Sequence, residues 1–212
     1  MIITQHGGEF TKIQFGDIVL AFNPVSKASS IKQTRFGADI VFITANHEDF
    51  NGVEQVTHGE RKPFVIDGPG EYEVKSVFIK GLPSTTSYGG KTLINTIYTV
   101  NLESMNICYL GAIGDMELKE ETVEALDEID ILFVPIGGDG VLTPEKAYKL
   151  AVSLEPKIII PIHYGDIGDK DSLKHFLKEV GENPTPMDKL TLKKKDLEGK
   201  EADVVVLESS NE

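Results

Sequence analysis

Cysteine and tryptophan are nearly absent from this chain. Among 212 residues there is no tryptophan and one cysteine, Cys108, so an internal disulfide cannot form. Its neighbours Ile107, Tyr109 and Leu110 are apolar or aromatic, and this setting favours a small buried thiol over a reactive one. The sequence therefore excludes an internal disulfide and favours a buried, unreactive cysteine over a catalytic one.

Basic residues are also scarce, and long apolar runs are missing. The chain has 21 Lys and Arg against 34 Asp and Glu, a formal net charge of -13. Nucleic-acid binding depends on Lys and Arg that neutralise phosphates, so we expect no nucleic-acid partner. No apolar run approaches the roughly 20 residues that span a bilayer, and the first residues lack the features of a signal peptide. We therefore expect a cytoplasmic protein with no membrane partner.

No linker-like segment divides the chain, which predicts a single domain over residues 1–212. The first half contains short apolar runs separated by turn residues such as Gly16-Asp17 and Gly68-Pro69-Gly70. These runs are typical of strands. The predicted strands cover residues 11–15, 18–22, 40–44, 63–66, 71–74, 77–79, 96–102 and 105–110.

The second half alternates helical and strand patterns. Apolar residues recur at helical spacing over residues 118–129, and Thr143 with Pro144 is typical of the start of a second helix. A third helical stripe extends from Leu173 to Val180. Strand-like runs lie between and after these helices, at residues 131–136, 157–163, 190–192 and 204–207. A β-rich half followed by βαβ-like units predicts an α/β or α+β fold with mixed sheets covered by helices.

The polar segment Thr44 to Asn51 follows a predicted strand and contains His47 and Asp49. A strand that leads into such a loop resembles the signature turn of the metallo-β-lactamase superfamily, His-x-His-x-Asp-His. Other segments match the same family in order and spacing: residues 5–10, 22–24, 68–72, 95–98, 109–112, 134–138 and 160–164. The chain is similar in particular to small metal-dependent hydrolases such as ascorbate-6-phosphate lactonase. This resemblance implies a four-layer αββα sandwich.

The resemblance also implies which residues would bind metal. His47, Asp49 and His163 match ligands of the family, with His47 assigned to one ion and the other two residues to the second ion. Asp49 and His163 are accordingly the candidate catalytic residues. Each also has a purely structural interpretation: His47 can bond to the backbone of its loop, Asp49 can cap a short helix at residues 51–56, and His163 can be a buried core histidine.

Three positions depart from the ligand pattern of the family. Ala45 and Phe50 stand where imidazoles are expected, and Ala112 stands where an Asp would bridge the metals. The segment from Gly81 to Ser87 brings hydroxyls where another His is expected. A two-metal hydrolase needs roughly five or six ligands. We therefore expect a vestigial metal site with no tightly bound cofactor, although zinc, iron or manganese at a weak site stays open.

The replacements are mutually consistent. Without metal cations, neighbouring carboxylates would repel one another in the pocket. Asn23, where the family usually has Asp, and Ala112 both lower that negative charge. Phe50 supplies an apolar ring that can fill the space of a metal ion and its water.

Three functional hypotheses follow. The first and favoured one is a hydrolase-like protein without catalysis that acts by binding or assembly, a homo-oligomer being the expected form. The second is a metal-dependent hydrolase of a small lactone or phosphoester, with one ion held by His47, Asp49 and His163 and a recruited acid, Asp115 or Glu48.

The third hypothesis is a metal-free enzyme. His163 or His47 would act as general base together with a hydroxyl from Ser84, Thr85 or Tyr164. No spacing in the chain specifically supports this arrangement. The sequence names no substrate for any of the three hypotheses, because proteins that share a fold act on unrelated molecules.

Overall fold

The computed structural model describes residues 1–126 and 128–210. Within this part of the chain the backbone forms two mixed β-sheets. Sheet 1 has the strand order β12-β1-β2-β3-β4-β5. Its strands are β1 (Ile2–Gln5), β2 (Thr11–Phe15), β3 (Ile18–Phe22), β4 (Ile40–Phe42), β5 (Phe64–Ile66) and β12 (Leu190–Thr191).

Sheet 2 has the order β13-β11-β10-β9-β8-β7-β6. Its strands are β6 (Gly70–Val74), β7 (Val77–Thr86), β8 (Leu93–Leu102), β9 (Met105–Tyr109), β10 (Ile131–Pro135), β11 (Ile158–Ile162) and β13 (Asp203–Val204). Strands β6 to β9 form an antiparallel meander, whereas β9, β10, β11 and β13 are parallel. Parallel neighbours need crossover connections, and the helices supply them.

The principal core lies between the two sheets. Alternate residues of each strand face inward, which is the period-two pattern that predicted the strands. Phe22 stacks on Phe42 at 4.2 Å between ring centroids and on Tyr109 of sheet 2 at 4.6 Å. All three rings are fully buried, so aromatic packing joins the sheets directly beneath the carboxyl end of β4.

Helices α1 (Glu120–Ala125), α2 (Pro144–Ser153) and α3 (Ser172–Val180) contribute to a second apolar cluster with sheet 2. Thr143 caps α2 by accepting a hydrogen bond from the backbone N–H of Lys146. Against sheet 1, a third cluster is built from loop residues such as Val25, Ile31 and Val56, with a short 3₁₀ helix at Val53–Gln55. Two packed sheets with helices against sheet 2 confirm the predicted α/β (α+β) sandwich architecture.

Several predicted boundaries were wrong. The N-terminal strand β1 was not predicted, and β7 continues through Gly81 and Pro83 to Thr86. The first helix covers residues 120–125, not 118–129; position 127 of the predicted helix lies outside the described residues. The last predicted strand, at 204–207, is present as β13 at Asp203–Val204. Among the described residues, no helix is long and apolar enough to cross a membrane.

Candidate functional site

The candidate site lies where four strand ends meet. The loop after β4 presents His47 and Asp49, and the residue after β11 is His163. The turn after β7 contributes Tyr88, and the segment after β9 contributes Ala112. The structure therefore brings the three predicted metal ligands to one region of the molecule, as the sequence implied.

His163 is oriented by a buried carboxyl group. Its Nδ1 lies 2.6 Å from Oε1 of Glu9, and both side chains are fully buried. Asn23 Nδ2 donates to the other carboxyl oxygen, Oε2 of Glu9, at 2.6 Å. A carboxyl group on one ring nitrogen is the arrangement that orients metal-binding histidines. The second nitrogen, Nε2, is buried without a hydrogen-bond partner among the described residues.

The backbone around His163 is adapted to this ring. His163 has a φ of 61°, a conformation that is uncommon for residues other than glycine. A Cβ atom at Gly137 would lie 2.5 Å from Cδ2 of His163, so a side chain at position 137 would displace the imidazole. The absence of a side chain at Gly137 therefore allows the segment after β10 to approach the residue after β11 closely.

Asp49 accepts hydrogen bonds from two hydroxyl groups. Tyr88 donates to Oδ2 at 2.7 Å, and Ser29 donates to Oδ1 through a short contact. His47 Nδ1 accepts the backbone N–H of Asp49 at 3.2 Å, so its 3.4 Å separation from Oδ2 is an ion pair only when the ring is protonated. His47 therefore forms the hydrogen bond to the backbone of its own loop that its structural interpretation predicted.

The proposed capping role of Asp49 was wrong. The short helix at Val53–Gln55 begins after Gly52 and has no side-chain cap. Asp49 instead faces Tyr88 and Ser29, two residues that the sequence gave no reason to select.

The three positions that depart from the ligand pattern lie together. Ala45, Phe50 and Ala112 form one buried apolar cluster with Val141, against which Tyr88 packs. The Phe50 ring is fully buried and lies 5.1 Å from the Tyr88 ring and 6.1 Å from the His163 ring, measured between centroids. Aromatic carbon occupies the space between the retained polar residues.

Tyr88 contacts every retained candidate residue. Its ring centroid lies 4.8 Å from that of His47 and 4.9 Å from that of His163, edge to face in both cases. Burial, and then the hydrogen bond to Asp49, raises the pKa of the Tyr88 hydroxyl, so this group remains a donor. The Tyr88 turn is fixed because Ser87 N–H and Thr86 Oγ1 both donate to the carbonyl of Gly140.

Other candidate residues lie apart from this network. Asp115 and Glu48, the acids considered for recruitment, are exposed. Two of the three hydroxyl groups proposed for a metal-free enzyme donate to backbone carbonyls, Ser84 to Asn95 and Tyr164 to Leu207; the third residue, Thr85, is exposed. His58 and His175 are exposed.

The side chains present do not fit a dinuclear metal centre. Three of the positions expected to hold ligands carry apolar residues that pack together. Both carboxyl oxygens of Asp49 accept hydrogen bonds from hydroxyl groups. Among the described residues, no group of three or more His, Cys, Asp or Glu side chains could hold a metal ion. A structural or catalytic site requires at least three converging protein ligands.

Comparison with known proteins agrees with the fold. A model of the "Beta-lactamase superfamily domain" matches residues 3–163. A "UPF0173 metal-dependent hydrolase" of Thermoplasma acidophilum is 25% identical over 190 residues, covering 78% of this chain and 83% of the relative. One from Ligilactobacillus salivarius is 25% identical over 210 residues, covering 86% and 94%. A crystal structure of a candidate Zn-dependent hydrolase from Thermotoga maritima superposes with a TM-score of 0.77 at 28% identity, covering 97% of each chain.

Proposed function

The chain belongs to the metallo-β-lactamase superfamily, and we propose that it is a member in which packed side chains replace the dinuclear metal centre. Its function is then binding or assembly, not metal-dependent hydrolysis. The observation that carries this proposal is the buried cluster of Ala45, Phe50 and Ala112 with Val141. A pocket that holds water and a cation needs polar atoms on its walls, whereas the side chains of this cluster are apolar.

The polar residues that remain support the same proposal. Metal ions normally neutralise the carboxylates around them. Here Asp49 takes hydrogen bonds from Tyr88 and Ser29, and Glu9 takes them from Asn23 and His163. Each acid thus has protein partners of its own and does not need a cation to be stable when buried.

A second candidate function rests on the relatives and on His163. The relatives bear the name metal-dependent hydrolase, and Nε2 of His163 is buried without a partner. On this hypothesis the chain hydrolyses a small lactone or phosphoester with one ion held by His47, Asp49 and His163. The hypothesis requires Tyr88 to leave Asp49, because its hydroxyl occupies Oδ2.

Elemental analysis separates the two candidates. Protein purified without added metal should carry well under one zinc, iron or manganese per chain, because three ligands around an aromatic ring bind metal poorly. A metal content near one or two ions per chain would contradict the proposal and favour the metal-dependent hydrolase.

Restoring the ligands tests the residue assignment. The triple variant Ala45→His, Phe50→His and Ala112→Asp should bind zinc clearly more tightly than the parent in a calorimetric titration, since the strand ends that carry these residues are held by the sheets. Catalysis is not expected to return with the metal, because outer residues that orient the ligands also matter. Adding Asp49→Asn to the triple variant is the matched control and should remove the gain. A folded triple variant that binds no more zinc than the parent would show that the assignment is wrong.

A further inference from the structure

Tyr88 occupies the candidate site in the way that a bound ligand would. It is carried by the tip of the β7–β8 hairpin, whose other residues, 87 and 89–92, are exposed. Strand pairing ends at Thr86 and Leu93, so the tip lies beyond the hydrogen-bonded ladder. Tyr88 itself is half-buried, because its side chain turns into the site while its neighbours face solvent. The tip can therefore move away from the site without breaking a strand pair.

The site surrounds the Tyr88 ring with aromatic walls. The rings of His47 and His163 meet it edge to face, at 4.8 Å and 4.9 Å between centroids. The Phe50 ring lies 5.1 Å away, and the buried apolar cluster that contains Phe50 packs against the same tyrosine. Contacts of this kind stabilise an aromatic ring in particular. The walls of the site therefore suit an aromatic ring.

A hydrogen-bond acceptor lies at the hydroxyl end of this ring. The Tyr88 hydroxyl donates to Oδ2 of Asp49 at 2.7 Å, and Ser29 donates to the other carboxyl oxygen. A carboxylate accepts hydrogen bonds and cannot donate them, so this end of the site selects a hydroxyl group that carries its proton. The ring of His163 offers a further polar atom, Nε2, which has no hydrogen-bond partner among the described residues. Aromatic walls with a carboxylate at one end match a phenol.

We propose that this site binds a small molecule with a phenolic hydroxyl group, and that Tyr88 closes the site as an internal competitor. The proposal rests on the function proposed above, because a metal ion in the site would take Asp49 and exclude the phenol. The ligand hydroxyl replaces that of Tyr88 on Asp49, and the ligand ring replaces the Tyr88 ring between His47 and His163. The hairpin tip moves outward as the ligand enters. The affinity of the parent protein is lowered accordingly, since only the molecules with Tyr88 displaced can bind.

Removal of the competitor tests the ligand class. Tyr88→Gly deletes the ring and hydroxyl from the site, and an engineered cavity can bind a small molecule that fills it. In saturation-transfer NMR titrations, phenol should bind this variant about tenfold more tightly than it binds the parent. Phenol should also bind about tenfold more tightly than benzene, which fits the same space but cannot donate to Asp49. Equal affinities for phenol and benzene, or no phenol binding by a variant that circular dichroism shows to be folded, would overturn the proposal.

A second variant tests the competition and leaves every side chain of the site in place. The hairpin tip packs on Gly140, where an added Cβ atom would lie 2.6 Å from Cα of Tyr88. Gly140→Ala should therefore push Tyr88 outward and raise the affinity for phenol above that of the parent. Gly138→Ala is the matched control, because Gly138 also has a positive φ but an added Cβ atom there meets nothing within 4 Å. A folded Gly140→Ala variant that binds phenol no more tightly than Gly138→Ala would refute the competition, also where Tyr88→Gly does not fold.

Two further measurements separate this proposal from its alternatives. Elemental analysis that finds about one metal ion or more per chain overturns the proposed function, and the phenol site with it. Metal-free protein whose Gly140→Ala variant ignores phenol overturns the phenol site alone. N-acetyltyrosinamide stands for a tyrosine side chain of another protein. If it binds Gly140→Ala and phenol does not, the site receives a protein side chain and the small-molecule proposal is wrong.

Discussion

At the scale of single residues, Tyr88 connects two side chains, Asp49 and His163, that the family resemblance assigns to one metal ion. Its hydroxyl bonds to Asp49 of the β4 loop, and its ring packs on His163 after β11. Asp49 and His163 follow strands of different sheets. The Tyr88 phenol therefore joins groups of the two sheets at this point.

Removing the Tyr88 hydroxyl should therefore lower stability. Tyr88→Phe keeps the ring contacts and leaves Oδ2 of buried Asp49 without its 2.7 Å donor, so we expect a loss of about 1–2 kcal/mol in the free energy of unfolding. Urea denaturation followed by circular dichroism measures it. Tyr148→Phe is the matched control, because the Tyr148 hydroxyl makes no hydrogen bond with any described residue. Equal effects of the two substitutions would contradict a special role for Tyr88.

The residues found by sequence and those missed differ in a physical way. His47, Asp49 and His163 were found because each follows a strand in a pattern of fixed spacing. Glu9 was missed because its partner His163 lies 154 positions away, and nothing in either segment specifies that contact. Tyr88 lies one residue beyond the segment Gly81 to Ser87, where the family resemblance implied another histidine, so its role became visible only when the turn geometry was known.

At the scale of elements, patterning predicted strands well where hydrophobic alternation is unbroken. β2 and β3 have the predicted bounds. β7 is longer than predicted because Gly81 and Pro83 interrupt its apolar pattern, yet nine residues of this strand pair with β8. β1 was missed because a four-residue strand at the start of the chain gives little periodic signal; its pairing with β12 near the C-terminal end is a long-range contact.

The connection between β1 and the C-terminal segment should make stability depend on pH. His6 follows β1, and its Nδ1 lies 3.0 Å from the Ser210 hydroxyl. Burial, and then the nearby Lys12, lowers the pKa of His6 from 6.5 to about 4. Because the folded pKa is the lower one, the unfolded chain binds more protons between these values. The contribution of neutral His6 is complete above about pH 6.5 and is lost as the pH falls toward 4, a change of about 3 kcal/mol.

The variant His6→Gln isolates this contribution from that of the carboxyl groups. Between pH 6.5 and 4 the free energy of unfolding should fall less steeply in His6→Gln than in the parent. His175→Gln, at an exposed histidine of α3, should follow the parent curve. Parallel curves for all three proteins would show that His6 titrates alike in the folded and unfolded chain.

At the scale of the whole molecule, sheet 2 has apolar residues on both faces. One face meets sheet 1, and the other meets helices α1 to α3. Cys108 on β9 belongs to the cluster on the helix side and is 1% exposed. Burial raises the pKa of its thiol, so the reactive thiolate is disfavoured as well as inaccessible. A reagent can therefore reach the Cys108 thiol only when the helices α1 to α3 separate from sheet 2.

Cys108 should consequently report global unfolding. β9 lies between β8 and β10 near the middle of sheet 2, and local fraying at the sheet edges does not reach it. We expect thiol labelling in native buffer to be slow and to accelerate with urea as steeply as unfolding measured by circular dichroism. The reference is Val152→Cys in a Cys108→Ser background, where the thiol lies on the exposed face of α2 and should react at once. Fast labelling of the parent that does not depend on urea would mean that the helices separate from sheet 2 while the core between the sheets stays intact.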